Sequence, residues 1–243
     1  MLRYMIKKGV ILAGGKGTRL KPITDITNKN LVAVYDRPMI EYPLVTLKGL
    51  GVTEVLIDSG RQHAGEFLDY LGSGEDRGFD FTYRVQEQPG GLAHALQFAE
   101  PFTDHEQFIV MLGDNYIDGP VNIHVNNEKQ ALICLKSVHD PHRYGVAVVD
   151  GDKVLSIEEK PKNPKSNLAI VGLYVFPADV YSHTKKLKPS PRGELEITDV
   201  IAHYAQTGRL SYTMINGFYC DMGTPPSLAR TIAHLTEKKL SLE

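Results

Sequence analysis

Residues 9–19 read GVILAGGKGTR. The run GVILA is continuously apolar, as a strand buried on both faces should be. It passes straight into glycines at 14, 15 and 17 and reaches a fixed positive charge at Arg19. A second continuous run, FIVML at 108–112, ends in the turn LGDN at 112–115. EVLIDS at 54–59 and FTYRVQ at 81–86 are also strand-like. Between these runs, MIEYPLVTLKGLG places apolar residues at helical spacing and stops at Gly51, and GLAHALQFAE does the same after Gly91. Strands alternating with helices predict a parallel sheet with helices on both faces. Ligands of such sheets sit outside the carboxyl ends of the strands. The glycine cluster and LGDN both fall there.

The second half reads differently. From Ala131 to Phe176 strand-like runs dominate (ALICLKSV, YGVAVVD, AIVGLYVF), separated by loops such as HDPHRYG and EEKPKNPKSN. LSYTMI at 210–215 adds another run. This pattern predicts antiparallel additions at the edge of the sheet. Helices return at Glu196–Gln206 and Pro225–Lys238. The fold expected is α/β: one domain over 1–243, with a mixed, mainly parallel central sheet flanked by helices and a β-rich second part.

Composition narrows the function classes. With 243 residues the chain suffices for one large domain, and 42% hydrophobic and 23% charged residues are ordinary for a globular protein. A net charge of −2 gives no broad electrostatic case for nucleic acid. No apolar run is long enough to cross a bilayer. The N-terminal MLRYMIKK has too short an apolar part for a signal peptide and reads as an extension before the first strand. Cys134 and Cys220 form no CxxC pair and no zinc spacing. They are expected as reduced thiols, Cys134 in a buried strand, which fits a cytoplasmic protein.

The glycine loop suits phosphate. Glycines let backbone N–H groups approach an anion, and the Arg19 guanidinium offers a planar fork for phosphate oxygens. The P-loop spacing GxxxxGK[ST] is absent. The dinucleotide fingerprint GxGxxG begins at Gly15 and Gly17 but meets Leu20 where its last glycine belongs, which argues against an NAD-binding dehydrogenase. A tight strand-to-helix turn with a surface arginine is the plain alternative.

Further segments carry a resemblance. GVILAGGKGTRLKPIT, NKNLVAVYDRPMIEYPL, VQEQPGGLAHAL, LGDN, RYGVAVVD, EEKPKNPKSNLAIVGLYVF and RGELEITDV occur in this order. Together they resemble the sugar-nucleotide pyrophosphorylases, most of all the glucose-1-phosphate thymidylyltransferase group, from about Lys8 to Leu235. The resemblance implies a Rossmann-like nucleotidyltransferase fold, with a nucleotide-binding core at about 8–130, a sugar-binding part at about 131–220 and a C-terminal helix at about 224–238. It implies attack of a sugar 1-phosphate, glucose 1-phosphate favoured, on the α-phosphorus of dTTP or UTP, with Mg²⁺ as cofactor. No nucleic acid or membrane partner is implied.

The resemblance also assigns residues. Leu12, Ala13, Gly14, Gly15, Gly17, Thr18 and Arg19 are nucleotide-binding, with Arg19 on the triphosphate and Lys29 near the reacting phosphates, and Arg19, Lys29 and Lys160 are the catalytic residues. Read alone, Lys29 is a lysine in a polar loop. Gln86 carries a donor and an acceptor that can pair with the imide edge of thymine or uracil, with the Gly91 backbone alongside. A buried glutamine fixing a loop is the other reading. Asp114 and its partner Asp221 are the metal carboxylates, the alternative being turn or N-cap residues. Glu159 is placed on the sugar hydroxyls and Lys160 on the sugar phosphate, and Asn115, Tyr144, Gly145, Asn167, Gly172, Tyr174 and Arg192 at matching sugar-side positions. The nucleophile is the substrate's own phosphate oxygen, so no Ser/His or Cys/His pair is required.

The chain departs from the family's pattern in places. Asn30 and Ala33 stand where glutamine and proline are usual, and FYCDMGT replaces a Trp-containing Asp-Thr-Gly segment, putting Met222 beside Asp221. Typical members carry a further helical tail beyond the segment matching Leu235, and this chain is expected to do without it. A homodimer or monomer is therefore expected at least as readily as the usual tetramer. A catalytically silent nucleotide-sugar-binding protein remains the alternative function.

Overall fold

The computed structural model describes residues 5–241. Part of the expected N-terminal extension, residues 1–4, lies outside the described residues. Its remainder is not loose: Ile6 is buried in the core, and the Lys7 carbonyl accepts from the Thr53 and Glu54 amides.

Strand β1 (Lys8–Ala13) is buried at every residue, which is why its run shows no polar alternation. A small hairpin of β2 (Ala33–Val34) and β3 (Arg37–Pro38) leads into α1 (Glu41–Gly49). There follow β4 (Glu54–Gly60), α2 (Ala64–Leu71), β5 (Asp80–Gln86), α3 (Leu92–Gln97), α4 (Glu100–Thr103), β6 (Phe108–Leu112) and β7 (Asn115–Asp118). The second half holds β8 (Ala131–Ser137), β9 (Gly145–Asp150), β10 (Lys153–Glu159), β11 (Leu168–Phe176), α5 (Val180–Thr184), α6 (Ile197–Gln206), β12 (Leu210–Met214), β13 (Phe218–Asp221) and α7 (Pro225–Leu240).

The main sheet runs β10-β9-β11-β6-β1-β4-β5, with β8 against β11 and β12 against β8. β6, β1, β4 and β5 are mutually parallel, the nucleus expected from the βα alternation. β11 joins the β6 edge antiparallel and carries β8 and β9, also antiparallel. One addition departs from expectation: β12 runs parallel to β8, because α6 carries the chain back over the sheet before β12 begins. EEKPKNPKSN is also only partly loop, since Glu158 and Glu159 end β10. The short ribbon of β7 and β13 stands apart from the main sheet.

Two apolar layers cover the sheet. Leu44, Leu47, Phe67 and Leu71 from α1 and α2 pack on one face with Ile11 and Ile57. Ala93, Leu96, Val180, Val200, Ile201 and Tyr204 from α3, α5 and α6 pack on the other with Val10 and Leu56. Each of the Leu, Val, Ile and Phe side chains contributes about 1.5–3 kcal/mol when fully buried. A third, smaller cluster joins Leu20, Val32, Tyr42, Tyr116, Met222 and Leu228. It anchors α7, whose N-terminus is closed by Thr224 and Ser227 in a reciprocal capping box. Among the described residues no helix is long and apolar enough to cross a membrane. Cys134 and Cys220 are both free and buried.

Candidate active site

The carboxyl ends of β1 and β6 are tied together where the Gly113 amide donates to the Leu12 carbonyl at 3.0 Å. The glycine loop leaves β1 at this point and turns at Gly17, whose φ of +63° is a left-handed conformation that glycine adopts without strain. Thr24 Oγ1 donates to the Gly17 carbonyl at 2.9 Å and sets the loop. Beneath it, Asn28 and Asn30 side-chain amides both donate to the Ala13 carbonyl. The glutamine-to-asparagine departure at 30 is thus accommodated as a wholly buried brace.

Lys29 runs under the loop. Its Cε lies 3.2 Å from where a Cβ on Gly15 would stand, and its ammonium pairs with Asp114 Oδ2. Asn115 Nδ2 donates to Asp114 Oδ1 at 2.9 Å. The ribbon of β7 and β13 places Asp221 opposite Asn115, next to Asp114. The point that a Cβ on Gly223 would occupy is 2.8 Å from Asp221 Oδ1, 3.2 Å from Arg19 Nη2 and 3.4 Å from Asp114 Oδ2. Two carboxylates and a guanidinium therefore converge on one spot.

The two carboxylates differ. Burial acts to raise Asp114, but the Lys29 ammonium outweighs it and holds that carboxyl below its usual range. Burial, and then the Asp114 charge, push Asp221 above the ordinary carboxylate range. The Lys29 and Arg19 charges act on Asp221 in the opposite sense without overcoming these two effects. Two carboxylates leaving room for phosphate oxygens and water fit Mg²⁺, which takes few protein ligands. Among the described residues no group of three or more His, Cys, Asp or Glu side chains is arranged for a metal. Met222 does not disturb the pair: its side chain is fully buried in the third cluster, while its amide donates to the Asp114 carbonyl at 2.8 Å.

All this opens on a cleft of about 490 Å³. Gln86, Gly91 and the glycine loop line one part, and Tyr144, Gly145, Glu159, Lys160, Gly172 and Tyr174 another. Glu159 is held by Thr198 Oγ1 at 3.1 Å and by Arg192 Nη2 at 3.2 Å, beside the Lys160 ammonium at 3.3 Å. Lys160 takes a positive φ of 41°, and its amide donates to the Tyr144 carbonyl at 3.0 Å, which turns the end of β10 towards the cleft.

The sequence-derived residues do not all face this space. Ala13 and Gly17 shape the loop without lining the cleft. Asn167 lies outside its wall, donating to Ser137 Oγ at 2.9 Å. Arg192 is also outside the wall, bound to Glu196 and Glu159, so it braces Glu159. Gly172 lines the cleft, but the protein itself requires the glycine: a Cβ there would stand 2.5 Å from Leu112 Cγ and 2.6 Å from Asn115 Oδ1. Asn115 Oδ1 accepts from the Gly172 amide at 3.0 Å and Tyr219 hydroxyl at 2.8 Å, making it a strut between β7, β11 and β13.

Sequence reasoning missed Arg143, Thr198 and Tyr219, all in the cleft wall. Arg143 and Thr198 stand within HDPHRYG and RGELEITDV, beside residues that were singled out, and this adjacency was the available signal. A larger cavity of about 670 Å³ lies elsewhere, between Tyr42, Tyr116, Asp118 and Leu235, and contains none of the residues singled out from the sequence. The cleft is the candidate because the cations and paired carboxylates converge there.

The model of the nucleotidyl transferase family matches residues 8–238. A glucose-1-phosphate thymidylyltransferase of Actinoplanes sp. is 39% identical over 235 residues, which are 94% of this chain and 78% of that protein. A crystal structure from Bacillus anthracis, of a protein assigned as a glucose-1-phosphate thymidylyltransferase and in complex with sucrose, is 45% identical. It covers 93% of this chain and 94% of its own, with a TM-score of 0.88. A UDP-glucose pyrophosphorylase complexed with UDP-glucose is 25% identical, covering 96% of this chain and 100% of its own, with a TM-score of 0.85. The mixed sheet flanked by helices is the architecture of these structural neighbours.

Proposed function

Because the chain belongs to the nucleotidyl transferase family, we propose that it joins a sugar 1-phosphate to a pyrimidine nucleoside triphosphate, giving a nucleotide-sugar and pyrophosphate. Glucose 1-phosphate and dTTP are the leading pair. The relatives named for thymidylyl transfer stand at 39% and 45% identity, against 25% for the uridylyl one. The observation that carries the reading is the meeting of Arg19, Lys29, Asp114 and Asp221 in one cleft that Gln86 and Glu159 also line.

The reaction brings two anions together, and this chain's groups offset their repulsion. Arg19 grips the triphosphate with its planar fork. Lys29, released from Asp114 as phosphate arrives, stabilises charge on the reacting phosphates. Gln86 and the backbone at Gly91 orient the base. Glu159, fixed by Thr198 and Arg192, accepts from sugar hydroxyls, and Lys160 steadies the sugar phosphate. Its phosphate oxygen, already anionic near neutral pH, attacks the α-phosphorus in line, with pyrophosphate leaving. Asp114 and Asp221 would hold Mg²⁺, which when bound neutralises triphosphate charge. Orientation of this kind is worth roughly 7–11 kcal/mol of a barrier.

The test is a matrix of purified protein, Mg²⁺, each nucleoside triphosphate and a panel of sugar 1-phosphates, read by pyrophosphate release. Turnover is expected with dTTP or UTP and glucose 1-phosphate. Absence of release from every pair, with nucleotide-sugar still bound, would replace this reading by the silent binding protein.

A further inference from the structure

One buried charge-bearing group has no part in the chemistry above. Asp58 lies in β4, in register with Leu12 of β1 and Arg84 of β5, and is fully buried. Its Oδ2 accepts from Gln86 Nε2 at 3.2 Å, and its Oδ1 has no partner among the described residues. A carboxyl in a strand interior that is only half satisfied costs stability, so its presence calls for a reason beyond packing. Gln86 is one row further along the same face, opposite Gly60. With Nε2 turned down to Asp58, the amide's Oε1 faces the glycine loop, 2.8 Å from where a Cβ on Gly14 would stand. Gln86 is itself almost wholly buried and lines the cleft.

We propose that Asp58 is a positioning residue for base choice: by accepting from Gln86 Nε2 it holds the amide so that Oε1, an acceptor, is presented to the nucleobase. The inference rests on the reading that Gln86 contacts the base. An acceptor at that place matches the N3–H of thymine or uracil. It opposes cytosine, whose N3 is itself an acceptor, so a wrong base would leave two acceptors facing each other without a proton. Freed from Asp58, the amide can turn over and offer its NH₂ group instead. A neutral Asp58 with its proton on Oδ1 still offers a lone pair at Oδ2, as the ionised carboxylate does, so the orientation does not require a charged carboxylate.

The experiment measures kcat and KM for dTTP and CTP in the wild type, Asp58→Val, Asp58→Asn and Gln86→Ala, each checked for folding by circular dichroism. Asp58→Val is expected to lower the ratio of kcat/KM for dTTP over CTP about tenfold, the scale of one lost hydrogen bond, mostly through KM for dTTP. Asp58→Asn keeps an acceptor of the same reach and is expected to stay within about twofold of the wild-type ratio. Should Asp58→Val not fold, Asp58→Ser is read in the same assay. A folded Asp58→Val or Asp58→Ser with the wild-type ratio, alongside a Gln86→Ala that has lost it, overturns the role of Asp58 alone. A Gln86→Ala that keeps the ratio overturns base reading by Gln86, and the inference with it.

Discussion

Asp114 illustrates how much one side chain can carry. It is 6% exposed, pairs with Lys29, accepts from Asn115 and receives the Met222 amide on its carbonyl. Asp114→Asn keeps the shape and removes the charge. Turnover at saturating substrate is expected to fall about a hundredfold or more, the cost of loosening the hold on the Mg²⁺ that would neutralise triphosphate charge. A folded variant with wild-type kcat would remove Asp114 from the machinery. Asp58 makes a different statement, about stability. Burial pushes it up to about 8, with Arg84 opposing. Between its ordinary 3.8 and about 8 the folded protein keeps a proton that the unfolded chain has lost. Its contribution is therefore full below pH 4 and declines as pH rises through about 8. Denaturant titrations from pH 5 to 8.5 should show that decline, and Asp58→Asn should flatten it; equal slopes in both proteins would contradict the burial argument. At this scale the motifs were readable: Arg19, Lys29, Gln86, Asp114 and Lys160 all reach the cleft. Asp58 was not readable, because in EVLIDS it looks like one polar residue near a strand end.

At the scale of elements, the short pieces decide the site. β7 and β13 are four residues each, yet their pairing sets Asp221 beside Asp114. β11 carries a register irregularity between Ile170 and Tyr174, and Gly172 sits within it, pressed against Leu112 and Asn115. Gly172→Ala must push these neighbours aside. The expected cost is about 1–3 kcal/mol of stability, from overpacking, together with a raised KM for sugar 1-phosphate as β11 shifts in the cleft wall. Chemical denaturation and sugar-side kinetics check this; an unchanged midpoint would show that the strand yields freely. Long apolar strands and helices were legible from periodicity alone. The brief ribbon of β7 and β13 was not, since four residues carry too little pattern to distinguish a strand from a turn. Asn167 and Arg192 lie outside the cleft wall for a related reason: sequence adjacency to the site does not say which way a side chain points.

For the whole molecule, the two halves of the cleft come from the two halves of the chain. The parallel nucleus supplies the glycine loop and Gln86, and the strands added at β6 supply Tyr144, Glu159 and Lys160. A nucleotide-sugar that spans both should stabilise the fold by mass action, by about 2.7 kcal/mol at a hundred times its Kd. For a chain of this size that is a rise of roughly 5–11 °C in Tm. Thermal melts with dTDP-glucose against glucose 1-phosphate alone test this, and a smaller shift with the nucleotide-sugar would mean that the cleft does not bind both moieties together.

Burial periodicity, turn chemistry and the order of motifs are local, so the amino-acid sequence by itself determined the alternation of strands and helices, the phosphate-suited loop and the family. Contacts between distant residues are not local. Lys29 meets Asp114 across 85 positions and Tyr219 meets Asn115 across 104. Such meetings follow from strand order and register, which no spacing along the chain encodes. Only the tertiary structure therefore decided that Arg192 braces Glu159, that Met222 turns away from the carboxylates and that Asp58 lies under Gln86.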